Sequence, residues 1–470
     1  MSRRAARTGI AARTMRARGL GLVLASLALA AVALFTGLPQ QGSANAQGSY
    51  SYTGVASCAG STCHGRSEGN GAVVRQDEIA TWQSPFAVSG AHSRAFAVLS
   101  SQRGEQIAAS LGWPDATSRS ECLGCHATTV AASNRGPRFQ ATDGVGCESC
   151  HGAAAGWLAS HYEVAGSHAN NVANGMVALD QPQTRARVCL DCHYGSADQG
   201  QFVTHAMMAA GHPRISFELD LFSSFQQHHD VDADYQQRKG VADGVQLWAV
   251  GQAEAVARAT DLFTQARLAS EGLFPQFTFF DCHSCHRQIT DGAERRLTFE
   301  TNPQRPLTFG QPPFNDENII MLDAVAQALA PTRAEAFRSA SRELHSAMNR
   351  GREPAVAAAA NLRDEASRLS DALAARSYGG NEAFEVIAII GGRATSTRFT
   401  DYAGSAQAVM AVDTLLNALV TQGRITVGAA ASIRADINRA YHAVRNPLNY
   451  NPGDFRAALG SAVTAIGRLR

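Results

Sequence analysis

Asp143-Gly144-Val145-Gly146-Cys147-Glu148-Ser149-Cys150-His151-Gly152 carries the pattern that decides how the chain is read: two cysteines separated by two residues and followed at once by histidine. The C-x-x-C-H spacing recurs at Cys122-Leu123-Gly124-Cys125-His126, Cys189-Leu190-Asp191-Cys192-His193 and Cys282-His283-Ser284-Cys285-His286. A stretched version, Cys58-Ala59-Gly60-Ser61-Thr62-Cys63-His64, precedes them. These five motifs use all 10 cysteines and leave no odd thiol.

Two thiols that close together can add to the two vinyl groups of one haem, and the histidine that follows reaches the iron as its proximal ligand. Other uses of cysteine fit less well. Disulfides would not require the regular spacing or the histidine. Zinc sites would pair the motifs, and five is odd. A redox dithiol needs no histidine. The stretched motif taken alone also permits a local Cys58–Cys63 disulfide; beside four regular sites, with His64 in place, it reads as a fifth haem site. The cofactor expectation is therefore five covalent haem c groups with their iron. They are attached through Cys58, Cys63, Cys122, Cys125, Cys147, Cys150, Cys189, Cys192, Cys282 and Cys285, with His64, His126, His151, His193 and His286 proximal.

The chain opens on a targeting segment. Arg3, Arg4, Arg7, Arg13, Arg16 and Arg18 form a basic region, an apolar run extends from about Leu20 to Leu38, and Ala44-Asn45-Ala46 is a small-x-small cleavage site. Residues 1–46 are read as a signal peptide, the alternative being an uncleaved membrane anchor. Either way the remainder lies in the periplasm or on the extracytoplasmic face of the membrane. Nothing after Leu38 reads as apolar for long enough to span again. The formal net charge is +1, with 41 Lys and Arg against 40 Asp and Glu, so no basic surface argues for nucleic acid. Lys239 is the only lysine.

Residues 47–301 hold every cysteine and most histidines, in short polar and glycine-rich stretches where cofactors would supply much of the apolar core. Short helices are expected around residues 82–99 and 203–210, and strand signals are sparse. Residues 302–313 form a proline-rich linker. Residues 314–470 change character. Leu362, Ala366, Leu369 and Leu373 fall at helical spacing, as do Ile433, Ile437, Ala440 and Val444, and nearly so Phe455, Leu459, Val463 and Ile466. Pro331, Pro354, Gly379-Gly380, Gly391-Gly392, Gly423 and Pro447 punctuate the run. The expectation is a mainly α protein: a pentahaem region followed by a bundle of about five or six helices. The bundle would stabilise the fold or serve for docking and self-association.

An iron with histidine on both faces suits electron transfer, and an open face suits substrate binding. Histidines outside the motifs are therefore distal candidates. His92, His161, His205 and His212 are the first choices. His205 and His212 lie seven apart, two turns along one face of a helix, where each can serve a different haem. The fifth ligand lies among His168, His228, His229 and His283. His345 and His442 read as ordinary helix histidines, and Met207 and Met208 as packing residues rather than sulfur ligands.

Thr81-Trp82-Gln83-Ser84, His92-Ser93-Arg94-Ala95-Phe96 followed by the Cys122 motif, the Asp143–Gly152 stretch with His161 downstream, and His205-Ala206-Met207-Met208-Ala209-Ala210-Gly211-His212-Pro213 together resemble the multihaem cytochrome c554 family over about residues 53–290. The resemblance implies a mainly helical fold with closely packed haems. It implies His92, His161, His205 and His212 as distal ligands, and electron transfer among exported redox enzymes. The chain departs from the family's four haems in its fifth motif and its helical C-terminal region. The first functional expectation is electron transfer between redox partner proteins. A second is a multihaem oxidoreductase acting on nitrite or hydroxylamine at one open haem. Against it stand the lack of a C-x-x-C-K motif, the distant position of Lys239, and the want of an assignable haem-linked tyrosine among Tyr378, Tyr402, Tyr441 and Tyr450. A third is a structural or polymeric cytochrome.

Overall fold

The computed structural model describes residues 50–69, 75–198, 200–214, 217–229, 233–240, 243–270, 272–286, 305–308, 311–396 and 402–470, and Tyr50–Arg470 forms one compact unit. Residues 1–46, read from the sequence as a signal peptide, lie outside the described residues, as do residues 302–304 and 309–310 of the Pro-rich linker. The described residues build helices and no strand; Tyr52 with Arg135 and Phe280 with Phe314 form isolated bridges only. The helices are α1 (Glu78–Trp82), α2 (Gln102–Ser110), α3 (Ser120–His126), α4 (Cys147–His151), α5 (Leu158–His161), α6 (His168–Ala173), α7 (Pro182–His193), α8 (His205–Ala209), α9 (Leu219–Phe225), α10 (Ala233–Lys239), α11 (Gly244–Thr264), α12 (Glu317–Leu329), α13 (Pro331–Met348), α14 (Arg352–Ala374), α15 (Glu382–Ala394), α16 (Tyr402–Thr421), α17 (Val427–Ala443) and α18 (Pro452–Gly467).

In the first half the helices are short and stop at chemistry. α3, α4 and α7 each end on the histidine of an attachment motif, which sets that side chain at the helix C-terminus. Gly152 follows His151 at φ 83°, a left-handed conformation that ends α4 abruptly. The expected helix over 203–210 is only His205–Ala209. Thr204 caps it through its side chain, and Gly211 at φ 115° turns the chain before His212. His205 and His212 therefore do not share a helix face, correcting the two-turn expectation. Around residues 82–99 the helix ends at Trp82 and is followed by single 3-10 turns at Val88–Gly90 and Ala97–Ser100.

The second half is a bundle of seven helices, α12 to α18, among the described residues, more than the five or six expected. Two presumed breaks are not breaks. Pro354 sits in the first turn of α14, where a missing N–H costs nothing. Gly391 lies within α15, and a Cβ there would come within 2.5 Å of the Val463 side chain, so the glycine lets α15 and α18 approach. Leu362, Ala366, Leu369, Leu373, Ile437 and Ala440 are 0% exposed. α16 is long and apolar enough to cross a membrane by length and composition, contrary to the sequence reading. It is a core helix here, with 83% of its apolar window buried.

α11, drawn from the half that holds the motifs, packs within the bundle's apolar core through Trp248, Val250 and Phe263, each 0% exposed. It also holds the motif-bearing segments in place. Glu254 on α11 accepts from Arg187 on α7 (2.9 and 3.0 Å) and from Ser370 on α14 (2.6 Å). The Gln407 amide on α16 donates to the Phe217 carbonyl (3.1 Å), and Thr414 donates to Glu218 (2.9 Å).

Candidate haem-binding site

Each of the five motif histidines faces a second imidazole across a gap of about one metal ion. Ring centroids are 5.9 Å apart for His64 and His161, 6.3 Å for His126 and His212, 6.1 Å for His193 and His92, and 6.2 Å for His286 and His205. His151 faces two neighbours, His228 at 6.3 Å and His229 at 6.0 Å. Two imidazoles that bind one metal from opposite sides place their centroids about 6 Å apart, from metal–nitrogen bonds of about 2 Å and about 1 Å more inside each ring. Rings in direct contact would sit closer. The residues present thus fit haem iron at all five motifs.

The backbone around these rings holds them in position. His92-Ser93-Arg94-Ala95-Phe96 serves two sites. His92 points at His193, while the Ala95 carbonyl holds His126 Nδ1 at 2.8 Å. Arg94 clamps the turn by donating to the Ser84 and Ala87 carbonyls. Val145 N–H donates to the His92 carbonyl (3.0 Å), and the Trp82 indole donates to the Val145 carbonyl (3.2 Å), which ties the distal segment to the third motif. A Cβ on Gly144 would sit 2.6 Å from the His92 carbonyl oxygen, so that close approach requires glycine. After α8, Arg103 grips the Gly211 carbonyl (2.6 Å) and fixes the turn that presents His212.

The outer partners set protonation. His212 Nδ1 lies 2.8 Å from the Pro213 carbonyl and His228 Nδ1 2.7 Å from that of Gln226, which leaves Nε2 directed elsewhere. Burial lowers the pKa of His92 and His212, and pushes His193 and His228 down to about 4. All four are then neutral, the form that binds metal. His64 behaves in the opposite way: a hydrogen bond to the Glu78 carboxylate (3.0 Å) raises its pKa. Burial opposes ionisation of Glu78, but the nearby His229 ring (3.6 Å) and the hydrogen bond with His64 outweigh it and hold the carboxyl well below the usual carboxylate range. Phe217 (4.9 Å) and Phe222 (5.6 Å) pack on the His193 ring, and Trp157 lies edge-on to His161 (5.5 Å).

The attachment cysteines of different motifs also meet. Cys58 of the first motif and Cys147 of the third lie near enough for each to act on the other's ionisation. The Cys125 thiol donates to the Cys192 carbonyl (3.9 Å) and the Cys192 thiol to the Gly124 carbonyl (3.7 Å), joining the second and fourth. Cys150 of the third lies near enough to Cys189 of the fourth to act on its ionisation.

The other candidates lie elsewhere. His168 pairs with Asp180 (2.9 Å). His283 is 3.1 Å from the Pro447 carbonyl and packs against Tyr402 and Tyr450. Met207 is buried at 6% exposure, while His345 lies in the bundle core beside Asp316. His442 and Tyr441 line a shallow cavity of about 520 Å³ between α16 and α17, and Tyr378 is buried beside α11. The side chain of Lys239 lies outside the described residues.

Two carboxylates went unread in the sequence. Glu78 is 5% exposed and faces His64 and His229. Glu148, also 5% exposed, accepts from the backbone N–H groups of Thr53, Gly54 and Ala154 at 2.8, 2.7 and 2.7 Å, fastening the start of the fold onto the third motif. Its place between Cys147 and Cys150 was the available signal.

Residues 57–152 match the family model described as cytochrome c554 and c-prime. The match takes in the first three motifs and His92. Comparison with curated proteins gave no match, and none was found among solved structures.

Proposed function

We propose, from the premise that this is a c554-type cytochrome with covalent haem c and an electron-transfer role, that the chain is a pentahaem carrier. It would work in the periplasm or on the outer face of the membrane, between redox partner proteins. Haem iron supplies a one-electron couple when bound. The observation that carries the reading is the pairing of all five motif histidines with a second imidazole at 5.9–6.3 Å. His92, His161, His205 and His212 take four distal places, and His228 or His229 the fifth.

The chain's own residues also order the sites. The 203–212 segment carries partners for the fifth and second motifs, the Cys125 thiol meets the Cys192 carbonyl between the second and fourth, Cys150 lies near Cys189 between the fourth and third, and Cys58 lies near Cys147 between the third and first. The two ends of this series are exposed, at His286 with Cys285 and at His161 with Cys63. These ends are where protein partners would exchange electrons. An enzyme acting on nitrite or hydroxylamine needs one iron with an unblocked face, and the facing imidazoles favour the closed arrangement.

Electron paramagnetic resonance on the purified protein, with haem quantified per chain, tests this reading. Five low-spin haems are expected. Fewer haems would remove the stretched motif from the set. A high-spin signal together with nitrite or hydroxylamine turnover would replace the carrier with an enzyme.

A further inference from the structure

We propose that Glu78 is a positioning residue shared by two irons, hydrogen-bonded through one oxygen to the ring opposite His161 and pairing electrostatically through the other with His229, one of the two rings opposite His151. The proposal rests on the pentahaem reading above. Glu78 Oε2 lies 3.0 Å from His64 Nδ1, and its Oε1 lies 3.6 Å from His229 Nδ1. The carboxylate is 5% exposed, so water does little to screen it. α1 fixes its place: Glu78 is the first residue of that helix, Ile79 N–H donates to the His64 carbonyl (3.1 Å), and Trp82 at the far end is bonded to Val145.

The arrangement has a direction. With Nδ1 bonded to a carboxylate, His64 has Nε2 left for iron. A carboxylate partner draws the Nδ1 proton and makes the ring a stronger electron donor, which favours the oxidised iron. His126 shows the contrast, since its Nδ1 meets only the neutral Ala95 carbonyl. The His64 site therefore has the lower potential of the two. Because one carboxylate serves both imidazoles, a change at His229 alters how strongly Glu78 holds His64. The first and third sites are coupled through this group.

The test is a redox titration followed by electron paramagnetic resonance on the haem-loaded protein and on Glu78→Gln. Signals can be assigned by ring geometry. The His64 and His161 rings are 16° from parallel, the nearest to parallel of the five pairs, whereas those of His126 and His212 are 88° apart and those of His151 with His228 or His229 87° or 82°. Near-parallel axial planes give a rhombic low-spin signal, and near-perpendicular ones a strongly anisotropic signal. Glu78→Gln is expected to raise the potential of the rhombic species. The change in its reduced-to-oxidised ratio at fixed potential should be about tenfold, which is about 59 mV for one electron. Of the two strongly anisotropic species, that of His126 should stay in place, and Glu78→Asp should recover part of the shift of the rhombic one. If Glu78→Gln does not take up its haems, His229→Asn is used instead. It frees the carboxylate for His64 and should move the rhombic species to lower potential. A rhombic species unmoved in whichever variant loads its haems overturns the proposal. Fewer than five low-spin haems in the unaltered protein would instead overturn the reading beneath it.

Discussion

Leu362, Ala366, Leu369 and Leu373 in α14 are 0% exposed and meet other apolar side chains, while the histidines that end α3, α4 and α7 are only half-buried and meet other histidines across gaps. One region encloses its interior with side chains, and the other leaves its interior to a cofactor. The apolar cluster of the bundle runs from Val245 to Ile466. In residues 50–229 the buried apolar clusters are two small sets, one around Leu99 and Ala108, the other around Leu190 and Phe217, with Val55, Val130, Trp157 and a few more buried outside them. A chain region that keeps so little apolar surface of its own from water gains little hydrophobic stabilisation, roughly 25 cal/mol for each Å² buried, against an ordering cost of about 1–2 kcal/mol per residue. Its order has to come from what sits between the histidines and from the helices it leans on.

The largest expected effect separates the two regions. Cys147→Ala with Cys150→Ala removes one attachment point. The segment 50–229 should become protease-sensitive while residues 314–470 stay protected, as judged by limited digestion with mass spectrometry. Equal sensitivity of both would show that the bundle depends on the cofactor as much as the motif region does.

The next pair compares a lost apolar side chain with a lost carboxylate. Leu362→Ala should cost about 2–5 kcal/mol through the cavity it leaves. The thermal midpoint should fall and the redox potentials should stay in place, because the change lies wholly within apolar packing. Glu148→Gln should cost about 2 kcal/mol, since three backbone N–H groups lose a charged acceptor. Visible spectra during thermal unfolding would show the loss at the haem absorption first. A core substitution that moved potentials would break the comparison.

How much of this was legible in the sequence follows the same divide. Local chemistry is written locally. The attachment motifs announce themselves, and every histidine that faces a motif histidine was among those the sequence singles out. The choice between His228 and His229 was not readable, because adjacent residues in an irregular turn both reach His151. Glu78 and Glu148 look like ordinary surface acids until the fold buries them. Long helices were readable from apolar spacing, but α11 was not assigned to the bundle. It is buried nearly all round, as fifteen of its residues are, so it lacks the polar face that marks an amphipathic helix. Gly391 reads as a breaker in sequence and as a packing contact with Val463 in space.

The boundary between the regions has its own pH signature. Burial, helped by the charge of Asp220, pushes the Glu218 carboxyl up to about 8, and burial pushes Asp220 up to about 7. Hydrogen bonds from the Asp220 and Leu221 N–H groups and from Thr414 only partly offset this. The folded state keeps these protons where the unfolded chain, with ordinary carboxyl values near about 4, has lost them. The folded state therefore binds more protons between about pH 4 and pH 8, and stability falls as pH rises through that window. Thermal midpoints measured from pH 5 to pH 8 should decline. Glu218→Gln, which cannot ionise, should flatten the decline. A variant that follows the parent curve would show that the acid beneath α9 is not the source.

The smallest expected effect is a null that gives the others their scale. Arg439 and Asp436 pair one helical turn apart on the outer face of α17, with the arginine 62% exposed. Arg439→Ala should change stability by less than about 0.5 kcal/mol, because water and salt screen such a pair and two long side chains must be ordered to form it. Arg103 is also a surface arginine, yet it grips the Gly211 carbonyl at the turn before His212. Arg103→Ala should change stability little more than Arg439→Ala does. It should nevertheless broaden the strongly anisotropic low-spin signal expected of the His126–His212 pair, because the ring it presents is no longer held at one angle. Two exposed arginines would then differ in spectrum rather than in thermal midpoint. Such a result would locate the difference between the regions in what the backbone presents, since neither side chain adds much to the stability of the fold.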